Sequence, residues 1–168
     1  MGSPFRGGSV VELRSGEIEF VELGQTFVGG LPVRSPKRPL GMLRDPNLER
    51  AWSAVLKQNP PGPLASIYTD HSAEAGSFYT QVVGYRCESI KDVMRGHVMA
   101  RVPGGRYARF VSTGEFPDVV SNLWQQVREA EDAGQIHRVA TSAYECYPHA
   151  YRIDLYIAVD DQSSEIRS

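Results

Sequence analysis

The two segments at residues 141–147 and 151–159 constrain the fold of this chain more than any other feature. Both are rich in aromatic and β-branched residues, and a turn-like run of Pro148, His149 and Ala150 separates them. Such a pattern predicts an antiparallel β-hairpin. Because successive side chains of a strand point to opposite faces, its first strand has two different faces. One face carries Ala143, Glu145 and Tyr147, and the other carries Ser142, Tyr144 and Cys146.

Glu145 is an acidic residue in the middle of an otherwise uncharged strand. Burying an unpaired charge costs on the order of several kcal/mol, so a carboxylate in this setting is expected to have a partner or a function. The alternative is an edge strand on which Glu145 points into water, since glutamate is seldom fully buried. The sequence leaves both interpretations open at this point.

Composition narrows the class of protein. The chain has 168 residues, which suits one domain, or two small modules with a common core. A net charge of −2 provides no basic field for nucleic acid or an anionic membrane, so neither is expected as a partner. No apolar run approaches the roughly 20 residues that a membrane span needs, and the N-terminus lacks a signal-peptide core. These features predict a cytoplasmic protein.

The predicted domain spans residues 17–160 and follows a flexible leader at 1–16. Its first half covers about residues 17–92. A strand is expected at 17–23, an extended glycine-containing stretch at 24–30 and a proline-containing loop at 34–41. An amphipathic helix at 47–58 carries Leu48, Ala51, Trp52 and Val55 on one stripe. Two strands at 64–70 and 78–85 follow, joined by a polar loop at 71–76.

The second half, about residues 93–160, repeats this order and precedes a tail at 161–168. Strands at 96–102 and 106–111 are predicted around a turn at 103–105. A helix at about 116–132 then presents one apolar face, made of Val119, Val120, Leu123, Trp124 and Val127. The opening hairpin completes the set.

The chain therefore looks duplicated, with a strand, a helix and a hairpin in each half. Trp52 in the first helix corresponds to Trp124 in the second, and Ser66-Ile67-Tyr68 corresponds to Ser142-Ala143-Tyr144. Two such modules predict an α+β fold in which two helices cover one face of a continuous antiparallel sheet.

The second half also resembles a known family. Residues 107–114, the helix with Leu123 and Trp124, the run Tyr144-Glu145-Cys146-Tyr147 and residues 153–159 together resemble the GyrI-like small-molecule-binding family. This family includes the effector-binding domains of AraC-type and MerR-type multidrug regulators. The resemblance covers roughly residues 17–160, and its aromatic-Glu-x-aromatic strand is the most specific motif. It implies two pseudo-symmetric modules in one curved sheet, with a ligand cleft between them.

The resemblance also implies a site. Glu145 corresponds to the family's acidic cleft residue, and Thr69 is its expected counterpart in the first half, which gives one carboxylate instead of two. Lipophilic aromatic ligands, often cationic, suit such a site because a carboxylate and aromatic faces both attract cations. No cofactor or metal is implied, and no helix-turn-helix segment adjoins the domain, so a stand-alone binding, sequestering or sensing role is expected. The candidate ligand-binding residues are Glu145, Tyr147, Tyr144, Tyr68, Tyr107, Trp124, Trp52 and Tyr156.

Two other functions stay open. Some members of the family hydrolyse strained electrophilic natural products, and Glu145 with Tyr107 or Tyr147 would then activate water. The family name also suggests a protein partner such as a topoisomerase. The two tryptophans have a second interpretation too, because helix stripes normally pack in a core.

Overall fold

The computed structural model describes residues 18–36, 46–69, 78–115, 118–149 and 151–160. Within this part of the chain, eight antiparallel strands form one sheet, and two helices lie on one of its faces. The α+β fold predicted from the sequence is confirmed. The predicted leader, the tail and the loop at 71–76 lie outside the described residues.

The order of the elements confirms the predicted duplication. The first half contains β1 (Glu19–Leu23), β2 (Thr26–Pro36), α1 (Pro46–Lys57), β3 (Leu64–Thr69) and β4 (Phe78–Cys87). A short 3₁₀ helix (Ile90–Asp92) follows. The second half contains β5 (Val98–Val102), β6 (Gly105–Thr113), α2 (Asp118–Asp132), β7 (Arg138–His149) and β8 (Arg152–Val159). Strand β2 continues through Pro36, which corrects the prediction of a loop for residues 34–36, and the rest of that predicted loop lies outside the described residues.

The helices pack through the apolar stripes that the sequence predicted. Ala51 and Val55 of α1 are buried, while Leu48 and Trp52 are partly buried against the sheet. The longer helix α2 buries Val119, Leu123, Trp124, Val127 and Ala130. Neither helix is long and apolar enough to cross a membrane, and the same holds for every helical segment in the described ranges.

The strand order is β1-β6-β8-β7-β3-β4-β2-β5, which places the hairpin strands β7 and β3 next to each other in the middle. Strands β5 and β6 do not pair with each other, which corrects the expectation of two strands around one turn. Strand β5 pairs with β2 and β6 pairs with β1 and β8, so each half of the sheet includes a strand from the other half of the sequence.

The links between these strands cross at close range. Leu23 lies opposite Gly105 and Thr26 lies opposite Val102, so the two ladders continue in one register across the crossing. A Cβ atom on Gly104 would lie 3.1 Å from the backbone nitrogen of Gln25, tighter than most Cβ contacts. A residue without a side chain at position 104 therefore lets the two chain segments approach.

The sheet curves strongly, and its two faces form separate cores. On the face away from the helices, Val28 of β2, Val102 of β5, Tyr107 of β6 and Tyr156 of β8 belong to one buried cluster, although their strands are spread across the sheet. We call this the inner face. On the other face, α2 and the sheet enclose a second cluster and α1 covers a smaller third one. We call this the helix face.

Candidate functional site

Glu145 lies at the centre of the helix face, where the two halves of the sheet meet. Strand β7 is flanked by β8 and β3, so it is not an edge strand, and Glu145 is only 2% exposed. The alternative in which Glu145 points into water is therefore wrong. Its direct neighbour across the ladder is Ser66 of β3, which is fully buried.

Three hydroxyl groups donate hydrogen bonds to the Glu145 carboxylate. The Tyr68 hydroxyl donates to Oε2 at 2.9 Å, and the Ser66 hydroxyl donates to Oε1 at 3.0 Å. The Tyr147 hydroxyl also donates to Oε1. Behind them, the side-chain amide of Gln81 donates to the Ser66 oxygen at 3.2 Å, and Gln81 is itself buried. The carboxylate is thus held by neutral donors from two adjacent strands, β3 and β7, and Gln81 of β4 supports one of these donors.

Each helix places one tryptophan against one of these tyrosines. Trp124 of α2 packs edge-to-face on Tyr68, with ring centroids 5.5 Å apart and planes at 83°. Trp52 of α1 packs in the same way on Tyr147, at 5.3 Å and 86°. Tyr79 of β4 adds a tilted contact with Tyr68 at 5.5 Å. We refer to Glu145, Ser66, Tyr68, Tyr147, Trp52 and Trp124 as the Glu145 cluster.

This arrangement has twofold pseudosymmetry. An axis between the cross-strand partners Ser66 and Glu145 exchanges Tyr68 with Tyr147, because each lies two residues further along its strand. The tryptophans exchange as well: Trp52 lies six positions after the start of α1, and Trp124 lies six positions after the start of α2.

The counterpart of Glu145 is therefore Ser66, which corrects the expected Thr69. Strand alternation puts Thr69 on the inner face, away from the carboxylate. It also separates Tyr68 from Tyr144, which lies in the inner-face core, so the predicted match between these two tyrosines is wrong. At the axis, the described residues hold one carboxylate facing one serine.

Burial dominates the electrostatics of this carboxylate. Loss of water raises the pKa of Glu145, and the hydrogen bonds from Tyr147, Tyr68 and Ser66 oppose that rise without cancelling it. The Trp124 indole N–H exerts a further small lowering on the same pKa, although it makes no well-formed hydrogen bond to any described residue. Burial and then the charge of Glu145 raise the pKa values of Tyr68 and Tyr147 far above the ordinary range, so both phenols keep their protons and donate.

A buried carboxylate normally has a cationic partner, because neutral donors replace only part of the lost hydration. Among the described residues, no arginine or lysine forms an ion pair with Glu145; the ion pairs there join Arg109, Arg138 and Arg152 to other acids. The arrangement can therefore hold a negative charge among aromatic rings in a place from which water is largely excluded.

Three of the predicted site tyrosines lie elsewhere. Tyr107, Tyr144 and Tyr156 belong to the inner-face core, where Tyr144 and Tyr156 stack at 5.7 Å and the Tyr107 hydroxyl donates to the Pro103 carbonyl. The sheet separates them from the Glu145 cluster because their positions alternate with those that face the helices. Tyr107 therefore does not contact Glu145, and of the two tyrosines considered as catalytic partners only Tyr147 does.

Comparison with known proteins identifies the family. Residues 19–159 match the family of integron-associated effector binding proteins named Cass2. The chain belongs to the Cass2 family. No protein with curated function matches the chain in sequence.

Solved structures share the Cass2 fold seen in this chain. An integron cassette protein from the mobile metagenome of Vibrio cholerae, VCH_CASS2, has a TM-score of 0.68 at 22% identity, covering 86% of this chain and 97% of that chain. SAV2435 bound to tetraphenylphosphonium has a TM-score of 0.67 at 11% identity, covering 87% and 95%. The C-terminal domain of EcmrR has a TM-score of 0.56 at 9% identity, covering 86% and 97%. The GyrI-like effector-binding fold implied by the resemblance is thus confirmed.

Sequence reasoning missed Ser66, Gln81 and Tyr79 as parts of the site of this Cass2 protein. Ser66 and Tyr68 are two positions apart on β3, and Tyr79 and Gln81 are two positions apart on β4. Polar groups at alternate positions of two neighbouring strands are a signal that could have indicated a polar patch on one face. The sequence gives no sign that this patch meets Glu145, because that depends on the pairing of β3 with β7.

Proposed function

We propose that the protein binds lipophilic aromatic cations at the Glu145 cluster. The observation that carries the proposal is a buried carboxylate that only neutral donors hold among the described residues, with Trp52, Trp124, Tyr68 and Tyr147 around it. Such a group stays at an energetic cost in the free protein, and a cationic ligand removes that cost.

Two attractive interactions act on a cation in this place. Coulomb attraction to the carboxylate is stronger where water is excluded than in bulk solvent. Contact of a cation with an aromatic face adds about 0.5–2 kcal/mol. Neutral flat molecules would use the aromatic contacts alone and bind more weakly. SAV2435, which shares the fold, is bound to tetraphenylphosphonium, a cation of this class.

The wider role follows from the same physics. Aromatic walls accept ligands of different shape, so a range of compounds is expected to bind, in keeping with sequestration or sensing of lipophilic drugs. A cytoplasmic location, as the sequence suggested, belongs to this proposal. Hydrolysis of a bound electrophile and a protein partner stay as alternatives, to be tested by mass spectrometry of the ligand and by co-purification.

Fluorescence titration tests the proposal directly. The chain contains two tryptophans, and both contact a tyrosine of the cluster, so a ligand there is expected to change their emission. Tetraphenylphosphonium would serve as the cation and triphenylphosphine oxide as a neutral aromatic ligand. Glu145→Gln keeps the shape of the side chain and removes its charge.

The expected result is a loss of about tenfold or more in the affinity of Glu145→Gln for the cation, which corresponds to about 1.4 kcal/mol. The affinity for the neutral ligand should change little, because its contacts do not depend on the charge. The matched control is Tyr144→Phe, on the inner face, which should leave both affinities at the wild-type value. Equal weakening of both ligands by Glu145→Gln would contradict the electrostatic role.

A further inference from the structure

The two pseudosymmetric halves of the Glu145 cluster differ in exposure. Tyr68 and Trp124 are 4% and 2% exposed, whereas their counterparts Tyr147 and Trp52 are only partly buried. Glu145, between the two halves, is 2% exposed. Among the described residues, the cluster therefore reaches the protein surface through the pair of Trp52 and Tyr147.

The two helices also hold their tryptophans differently. Helix α2 buries Trp124 together with four other residues, in an apolar cluster that extends across several strands. Helix α1 buries Ala51 and Val55, and Trp52 lies at the border of a much smaller cluster. Rearrangement around Trp52 therefore exposes less apolar surface than rearrangement around Trp124, and it costs less free energy.

A cation of the protein already occupies one face of Trp124. The guanidinium carbon of Arg138 lies 5.7 Å from the centre of this ring, and Glu131 of α2 holds the guanidinium through an ion pair at 3.4 Å. Arginine keeps its charge at any ordinary pH. A ligand cation that approached Trp124 would be repelled by Arg138 and would find that face of the ring occupied.

Trp52 has no such neighbour. Its ring contacts Tyr147, and no arginine or lysine of the described part of the chain lies over it. Trp124, in contrast, also has its indole N–H close enough to Glu145 to act on that carboxyl. The ring of Trp124 is thus engaged within the protein, while the ring of Trp52 is available to a ligand.

We propose that a ligand cation occupies the half of the site formed by Trp52 and Tyr147, and that Trp52 is the ring that holds the cation. Trp124 and Tyr68 form a wall of the site that stays in place. This inference rests on the proposed function, because it assigns the ligand to one half of the same cluster. The two halves present the same aromatic residue types to Glu145, so the choice between them depends on exposure and on Arg138.

Single-tryptophan proteins test the assignment. The chain has two tryptophans, so Trp124→Phe retains only Trp52 and Trp52→Phe retains only Trp124. Each variant is produced with tryptophan or with tryptophan that carries one to three ring fluorine atoms. Fluorine draws electron density from the ring and weakens its attraction for a cation, while the shape of the side chain changes little. Calorimetry measures the affinity for the cation biphenylmethyl-trimethylammonium and for the neutral biphenylmethanol.

The expected result differs between the two positions. Fluorination of Trp52 should weaken binding of the cation stepwise, by about threefold to tenfold in total, and should leave binding of the neutral molecule unchanged. Fluorination of Trp124 should leave both affinities unchanged. A general effect of fluorine on packing would instead alter the affinities for the cation and the neutral molecule alike.

A second measurement avoids the loss of the buried Trp124 ring, which could prevent folding. Wild-type protein labelled with 5-fluorotryptophan should give two fluorine resonances, and Trp52→Phe identifies the one that belongs to Trp52. Addition of biphenylmethyl-trimethylammonium should shift the Trp52 resonance and leave that of Trp124 nearly in place. A larger or equal shift at Trp124 would contradict the assignment.

The outcomes separate the two proposals. If the cation binds wild-type protein but its affinity depends on fluorination of Trp124 as much as of Trp52, or of neither, the inference is overturned and the proposed function stands. If neither biphenylmethyl-trimethylammonium nor tetraphenylphosphonium binds wild-type protein, the proposed function fails and the inference fails with it.

Discussion

The two faces of the central strand pair β3 and β7 differ sharply in chemistry. On the helix face, the pair presents Ser66, Tyr68, Glu145 and Tyr147, joined by hydrogen bonds. On the inner face, alternate residues of the same strands present Ala65, Ile67, Tyr144 and Cys146 to an apolar core. The same two strands therefore stabilise the fold with one face and carry the candidate site on the other.

The inner face is suited to stability because the curved sheet packs against itself there. Tyr144 stacks on Tyr156, and burial raises the pKa of Tyr156 to about 12. Apart from a weak interaction with the Cys146 thiol, the Tyr144 hydroxyl has no hydrogen-bond partner among the described residues. Tyr144 thus acts on this face mainly through its ring, whereas Tyr68 and Tyr147 on the helix face act through ring and hydroxyl together.

The largest effect expected from this contrast is on stability. Tyr144→Ala removes a ring that is 3% exposed from the inner core and should lower the free energy of unfolding by about 3–5 kcal/mol, from lost burial and the cavity left behind. Urea denaturation measures this change. Under conditions where the variant is folded, its affinity for tetraphenylphosphonium should equal that of wild type. If Tyr144→Ala lowered the affinity for tetraphenylphosphonium but left the stability unchanged, the assignment of stability to the inner face and of binding to the helix face would be wrong.

Removal of single hydroxyl groups sharpens the same comparison. Tyr68→Phe deletes a buried donor to the Glu145 carboxylate and should cost about 1.5–3 kcal/mol in unfolding free energy at a pH where Glu145 is ionised, since hydrogen bonds to charged groups are worth that much. Tyr144→Phe deletes a hydroxyl without a strong partner and should change stability by at most about 0.5 kcal/mol. Equal losses of unfolding free energy in the two variants would show that the Tyr68 and Tyr144 hydroxyls contribute equally to stability, which would contradict the contrast between the faces.

The smallest expected effect is on the pH dependence of stability. The folded pKa of Glu145 lies above its unfolded value of about 4.3. At a pH between the unfolded and the folded pKa of Glu145, the folded state therefore binds more protons than the unfolded state. The stability of wild type should fall as pH rises through this window. Glu145→Gln lacks this titration, so the stability difference between the two proteins should be constant above the window and favour wild type more below it.

Denaturation of both proteins across this pH range measures the difference, with Tyr144→Phe as a variant that keeps the wild-type pH profile. Cation affinity of wild type should change in the opposite direction and decrease as pH falls through the folded pKa, because protonation removes the charge. A pH-independent difference in stability between wild type and Glu145→Gln would mean that the carboxylate has an ordinary pKa in the fold.

The sequence predicted the elements and their order well. Apolar stripes with a period near 3.6 marked both helices, and alternation marked the strands, because burial of one face imposes these periods on the residues. The alternation in residues 143–147 also placed Glu145 and Tyr147 on one face and Tyr144 on the other, as the structure has them. Trp52 and Trp124 were matched correctly from their places on the two stripes.

The sequence did not predict which distant segments pair in the sheet. The predicted counterpart of Glu145 was Thr69, and three tyrosines of the inner face were grouped with the site. Each error arose from matching residue types along the chain, where a shift of one position moves a side chain to the other face. The interleaving of β1 with the second half and β5 with the first half was not visible either, because ladder partners far apart in sequence leave no local pattern.

By itself, the sequence determined that this chain forms an α+β fold from two similar modules, and that a lone acid lies in the middle of the otherwise uncharged stretch at residues 141–147. Those properties depend on local periodicity and on the cost of burying charge. Only the tertiary structure decided what surrounds that acid. Ser66 and Tyr68 lie 77 or more residues before Glu145 in the chain, and Trp52 and Trp124 come from opposite halves. They meet because β3 pairs with β7, and hydrogen bonding between strands is set by the register of the whole sheet, not by either strand alone.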